Sequence, residues 1–152
     1  MMSQLLPERI DNAFHGRKPA LWIFGLVVAV KMLQSVMVIF NGPSILRDAD
    51  GIPLDSYPAA ASQTIVAVWA LMGLTRVVFY SLCVLALVRY RAAIPFMFAV
   101  IALHYLASTL LMRFLPLVTT GSPPGPMMNL GLFALALAGL ALSLWRGGSA
   151  QP

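Results

Sequence analysis

Four runs of mainly apolar residues, each long enough to cross a lipid bilayer, constrain this chain more than any motif in it. A hydrocarbon core about 30 Å thick takes roughly 20 residues of α-helix. The runs extend from Pro19 to Phe40, from Thr64 to Val88, from Ala92 to Phe114 and from Pro126 to Trp145. In lipid every backbone N–H and C=O must pair within the protein, so only helices and closed barrels can span. No run alternates polar and apolar residues as a barrel strand must. The expected fold is therefore all-α, an integral membrane four-helix bundle, with residues 1–152 forming a single transmembrane domain. Composition points the same way: 60% of the residues are hydrophobic and 10% charged, too apolar for a water-soluble domain of this length.

The formal charge of +5 would suggest nucleic acid in a soluble protein. Here the basic residues sit beside or inside the apolar runs, where they act as topology signals, and no nucleic-acid partner is expected. Arg9, Arg17, Lys18, Arg89, Arg91 and Arg146 fall on one side of the four spans. Arg47 and the boundary residue Arg113 fall on the other, together with Asp48, Asp50 and Asp55. Short loops rich in Lys and Arg stay in the cytoplasm, so both termini are expected inside, in a multi-pass protein of a bacterial inner membrane. Trp22, Tyr90, Trp145 and Tyr57 stand near span ends, as interfacial anchors do. The first span is too long for a cleaved signal peptide, carries Lys31 at its middle and is expected to be retained. Ahead of it, Leu6, Ile10 and Phe14 recur at helical spacing, and a short interfacial helix over residues 5–16 or a frayed polar tail would both fit.

Polar residues placed at lipid depth are the informative feature. A cation at a helix centre costs about 2.5–3.5 kcal/mol on insertion scales. Lys31, Arg76 and His104 lie near the centres of the first, second and third spans. Each has polar neighbours three or four residues on: Gln34 and Ser35 after Lys31, Tyr80 after Arg76, and Ser108 after His104. One polar stripe per helix is the result. Three stripes are most easily accommodated facing one another, as a small cationic pocket away from the acyl chains.

The five acidic residues are Glu8, Asp11, Asp48, Asp50 and Asp55, and none lies in a span. The charges therefore need Asp48, Asp50 or Asp55 dipping inward, a bound anion, water or a neutral lysine. Arg76 is the most demanding of the three, because a guanidinium stays charged where a buried amine can deprotonate. A lone membrane histidine more often bonds a neighbouring helix than serves a reaction. Arg113 is expected to snorkel to headgroups, and Asn129 to cap or bond locally.

Several chemistries are disfavoured by what is missing. Cys83 is the only cysteine and His104 the only histidine in a span, which argues against a disulfide oxidoreductase and a two-ligand haem. There is no Gly-rich phosphate loop, no cluster of metal ligands and no nucleophile with base and orienter. No catalytic residue, metal or tightly bound cofactor is expected. D-A-D-G with Asp55 falls short of the oxygen set a calcium loop needs. The small multidrug antiporters carry an acidic residue in their first helix where this chain has Lys31, and the membrane glutathione-transferase-like family shares only size and layout.

The segments DGIPLDSYPAAASQ, LVRYRAAIPFM and PPGPMMNLGLFALALAGLALSLW resemble an uncharacterised group of small four-span bacterial inner-membrane proteins. The resemblance implies location and topology and no particular activity. The functional expectation is a non-enzymatic binding or accessory protein with an intramembrane cationic pocket. Its ligand would be an anionic lipid, a small molecule or a protein partner. The alternative is a small membrane enzyme or transporter acting on a lipophilic or anionic substrate. The small surfaces of the last span, Gly131, Ala134, Ala138, Gly139 and Ala141, suit close packing within the bundle, in a homo-oligomer or against another membrane protein.

Overall fold

A computed structural model describes residue 5 and residues 11–145. Four long helices dominate it: α1 (Lys18–Phe40), α2 (Ala59–Arg89), α3 (Ile94–Phe114) and α4 (Pro124–Leu144). No strand occurs among the described residues. All four helices are long and apolar enough to cross a membrane. Proline opens three of them, with Pro19 in α1, Pro95 in α3 and Pro124 in α4 occupying first-turn positions. The missing N–H costs nothing there, and the fixed φ suits the helix.

Helix α2 starts at Ala59, five residues before the apolar body at Thr64. Its 31 residues make it about 46 Å long, some 15 Å more than a bilayer core needs. The surplus supports a cap built from the α1–α2 connection. That connection runs through a short helical piece (Gly42–Ser44), a wider π-helical turn (Ile45–Ala49) and a single 3-10 turn (Leu54–Ser56). Leu46, Ile52 and Leu54 are buried against Ile65, Val66 and Trp69 of α2. Ser62 Oγ donates to the Leu54 carbonyl at 2.7 Å, fixing the cap to the helix. The α3–α4 connection joins the same structure, because Thr120 donates to the Gly51 carbonyl from both its backbone N (2.8 Å) and its Oγ1 (3.2 Å). Gly51 takes φ +69°, a conformation that favours glycine. The end of the bundle under these loops is called the cap end, and the end with the tight α2–α3 connection the turn end.

Around the bundle the helices follow the order α2, α1, α4, α3. Helix α1 lies along both α2 and α4, and α4 lies along α3, whereas the consecutive helices α2 and α3 share little surface. The apolar core occupies the turn-end half: Phe24, Val27 and Val28 from α1, Tyr80 and Cys83 from α2, Ile94, Phe98 and Ile101 from α3, and Leu132 and Ala136 from α4. Phe24 and Phe98 meet edge to face with centroids 5.0 Å apart. Small residues set the tight seams. A Cβ on Gly73 of α2 would stand 3.0 Å from the Ser35 carbonyl of α1, and one on Gly139 of α4 only 2.3 Å from the Phe98 ring. Backbones that approach this closely recover in dispersion what lipid-facing apolar surface does not supply.

At the turn end, residues 11–16 form a non-helical strap. The Asp11 carbonyl accepts from Ala92 N at 3.2 Å, Arg17 N donates to the Leu142 carbonyl at 3.1 Å, and the Arg17 guanidinium lies 4.7 Å from the Trp145 ring centre. An interfacial helix over 5–16 thus does not extend through 11–16, and the rest of that segment, apart from residue 5, lies outside the described residues. Phe14 explains the difference: it packs onto the bundle core, so it cannot share a lipid-facing stripe with Ile10.

Candidate functional site

Toward the cap end the aliphatic core gives out, and polar side chains take its place. Lys31 projects from the middle of α1 and its Nζ donates to Asn129 Oδ1 of α4 at 2.6 Å. One turn on, the buried Ser35 Oγ donates to the Lys31 carbonyl at 2.7 Å, satisfying its own hydroxyl without touching the ammonium. In place of the cap or local bond that its position in the sequence suggests, Asn129 is the partner of a cation 98 positions away in sequence. It sits in the second turn of α4, too deep to cap the helix. Its amide oxygen is an acceptor that a buried ammonium can use where no carboxylate is within reach.

Arg76 is the electrostatic centre of the group. It lies close enough to Lys31, Tyr80 and His104 for their charges to couple, and the Lys31 charge also reaches His104. Tyr80 is buried one turn below, Lys31 and Arg76 are half-buried, and His104 is exposed on α3. Gln34 and Ser108 are half-buried and make no hydrogen bond among the described residues. Neither does the guanidinium of Arg76, which also has no ion-pair partner among them. Its five N–H donors remain free at a depth where a bilayer offers nothing to accept them.

The three loop aspartates separate clearly. Asp55 pairs with Arg47 at 2.5 Å, and with side chains 80% and 46% exposed this is a surface bridge of the cap. Such a pair contributes little to stability. Asp48 is exposed on the cap. Asp50 is the carboxylate that dips inward. It is half-buried, and its Oδ1 would lie 3.0 Å from a Cβ placed on Gly125 of α4, so only glycine lets the loop settle there. Burial pushes the Asp50 carboxyl above the usual carboxylate range, and the nearby Arg76 charge partly offsets that rise. One inward carboxylate thus stands against two basic side chains and a histidine.

Arg76 offers a planar fork of donors suited to a carboxylate, sulfate or phosphate, and Lys31 keeps two N–H donors beyond the one given to Asn129. The buried thiol of Cys83 belongs to the apolar core at the turn end and is no part of the group. Comparison with protein-family models, with curated proteins and with solved structures finds no match.

Proposed function

We propose that this is a non-enzymatic binding protein of the bacterial inner membrane that holds an anionic group at the Lys31, Arg76 and His104 level. The observation that carries this reading is the guanidinium of Arg76, charged at any physiological pH, set within a membrane-length helix beside a second cation and without a protein partner among the described residues. Charges inside spans are expensive and mark sites where something polar is handled. An anion would supply the missing acceptors for Arg76 and for the free donors of Lys31. By the distribution of basic residues, with Arg17, Lys18, Arg89 and Arg91 at the turn end, that end faces the cytoplasm and the cap faces outward.

The reading is tested by following unfolding of the purified protein in a neutral maltoside detergent while inorganic phosphate, sulfate or dodecyl phosphate is added. At least one of these anions is expected to raise the unfolding midpoint of the wild type and to leave Arg76→Gln unmoved. Arg76→Lys, which keeps the charge but loses the fork, is expected to respond weakly. Equal responses in all three proteins, or no response in any, would remove the basis for an anion site.

A further inference from the structure

The path by which a ligand reaches Arg76 is restricted by the fold. At the turn end the way is filled by the Phe24–Phe98 pair and closed by the strap carrying Phe14. At the cap end, Leu46, Ile52 and Leu54 are seated on α2, the two loops are bonded through Thr120 and Gly51, and Gly125 abuts the Ala49 carbonyl so closely that a Cβ would lie 2.6 Å from it. Along the sides, α1–α2 is closed around Gly73 and α3–α4 around Gly139, with α1 lying along α4.

The remaining side is the α2–α3 seam. Every fully buried residue of α3 lies in its first half, from Ile94 to Ala102. From Leu103 to Phe114 the helix is exposed except at Tyr105 and Ser108, and Tyr105 stacks on Phe133 of α4 with centroids 4.4 Å apart. The cap-end half of α3 therefore leans on α4 and leaves α2 uncovered. On this half of α3 His104 is exposed, with Ser108 one turn on along the same stripe, and His104 is within electrostatic reach of the half-buried Arg76 of α2. In a bilayer this opening faces acyl chains. A free anion approaching through it would have to cross hydrocarbon, whereas the head of an amphiphile would be followed by tails that belong there. Arg76 stands 13 residues from the end of α2, about 20 Å up from the turn end and hence roughly 10 Å below the cap-end interface of a 30 Å core. A headgroup has only a short descent to reach it.

Resting on the anion-site reading above, we infer that the ligand is the phosphate head of an anionic phospholipid, entering sideways from the cap-end leaflet between α2 and α3, with Arg76 as its principal contact. A phosphodiester presents two oxygens that match the guanidinium fork, and its glycerol and tails would occupy the gap that α3 leaves.

The test uses the full chain in nanodiscs of equal parts phosphatidylglycerol and phosphatidylcholine, with lipids that stay bound counted by native mass spectrometry after gentle detergent release. The wild type is expected to retain phosphatidylglycerol over phosphatidylcholine by roughly tenfold or more, the range of a charge-assisted hydrogen-bonded pair. Arg76→Lys should lose most of that preference while remaining folded. Ser108→Phe, which adds bulk on that side of α3 without altering any charge, should lose retained lipid too. If wild type, Arg76→Lys and Ser108→Phe retain phosphatidylglycerol alike, lateral lipid binding is wrong. If free anions stabilise the protein through Arg76 but no lipid preference exists, the anion site stands and this inference falls. If neither responds to Arg76, both fall together.

Discussion

Gly139→Val is expected to destabilise the native bundle by about 3 kcal/mol or more, the upper end of what overpacking costs. Any Cβ at this position would lie 2.3 Å and 2.5 Å from two atoms of the Phe98 ring. Phe98 is fully buried and held edge-on by Phe24, so the ring has nowhere to swing. Overpacking of a filled core costs about 1–3 kcal/mol and occasionally more, and here the β-branched side chain would drive α3 and α4 apart along one of the two tight seams. Unfolding by SDS titration from mixed micelles measures the effect directly. Phe98→Leu in the same chain as Gly139→Ala should recover much of the stability that Gly139→Ala loses alone, because the smaller side chain vacates the space the methyl needs. Independent, additive losses would mean that the two residues do not oppose each other as described.

The second large effect is expected at the Lys31–Asn129 pair. Asn129→Leu leaves the Lys31 ammonium without its acceptor at 2.6 Å and with the Arg76 charge still nearby. Hydrogen bonds to charged groups are worth about 1.5–3 kcal/mol, although polar pairs between membrane helices average nearer 0.6 kcal/mol. A loss of about 1–2 kcal/mol is therefore expected for Asn129→Leu. Adding Lys31→Met should restore most of it, since removing both partners is far cheaper than orphaning one. A double-mutant cycle in the same SDS titration reads the coupling. If Asn129→Leu is neutral and no coupling appears, the bond between α1 and α4 does not hold Lys31 in place.

Much of the fold follows from elementary features of the sequence. Runs such as those of α1 and α4 have the length of a bilayer and open on proline, and lipid leaves the backbone no alternative to helix. The extra turns of α2 are legible at Ser56-Tyr57-Pro58, a pattern that suits a helix start ahead of the apolar body, and the helix does begin at Ala59, where its first turns serve the cap. Lys31, Arg76 and His104 stood out because each violates the solvent it sits in. Their partners did not, since a sequence does not give the order of helices around a bundle. Asp50 rather than Asp55 turns inward because Arg47, eight residues before Asp55, claims Asp55 at the surface. Asn129 was the hidden member of the site. The signal was available in principle, because a buried ammonium with no carboxylate in any span must look to an amide oxygen. Which face of the uniformly apolar α4 turns inward, the one carrying Asn129, Leu132 and Ala136, is given by the packing of the bundle. Phe14 leaves an interfacial helix and a polar tail equally open in the sequence, because its spacing with Leu6 and Ile10 does not reveal that its ring enters the bundle core.

The central claim is that Arg76 meets an anionic partner that is not part of the chain. The most direct measurement isolates wild type, Arg76→Gln and Arg76→Lys in native lipid particles, verifies that each is folded, and compares co-purifying lipids and small molecules by mass spectrometry. The account predicts one class of anionic molecule enriched with the wild type, reduced with Arg76→Lys and absent with Arg76→Gln. Identical profiles from three folded proteins would contradict it, and would make Lys31, Arg76 and His104 elements of packing and topology alone.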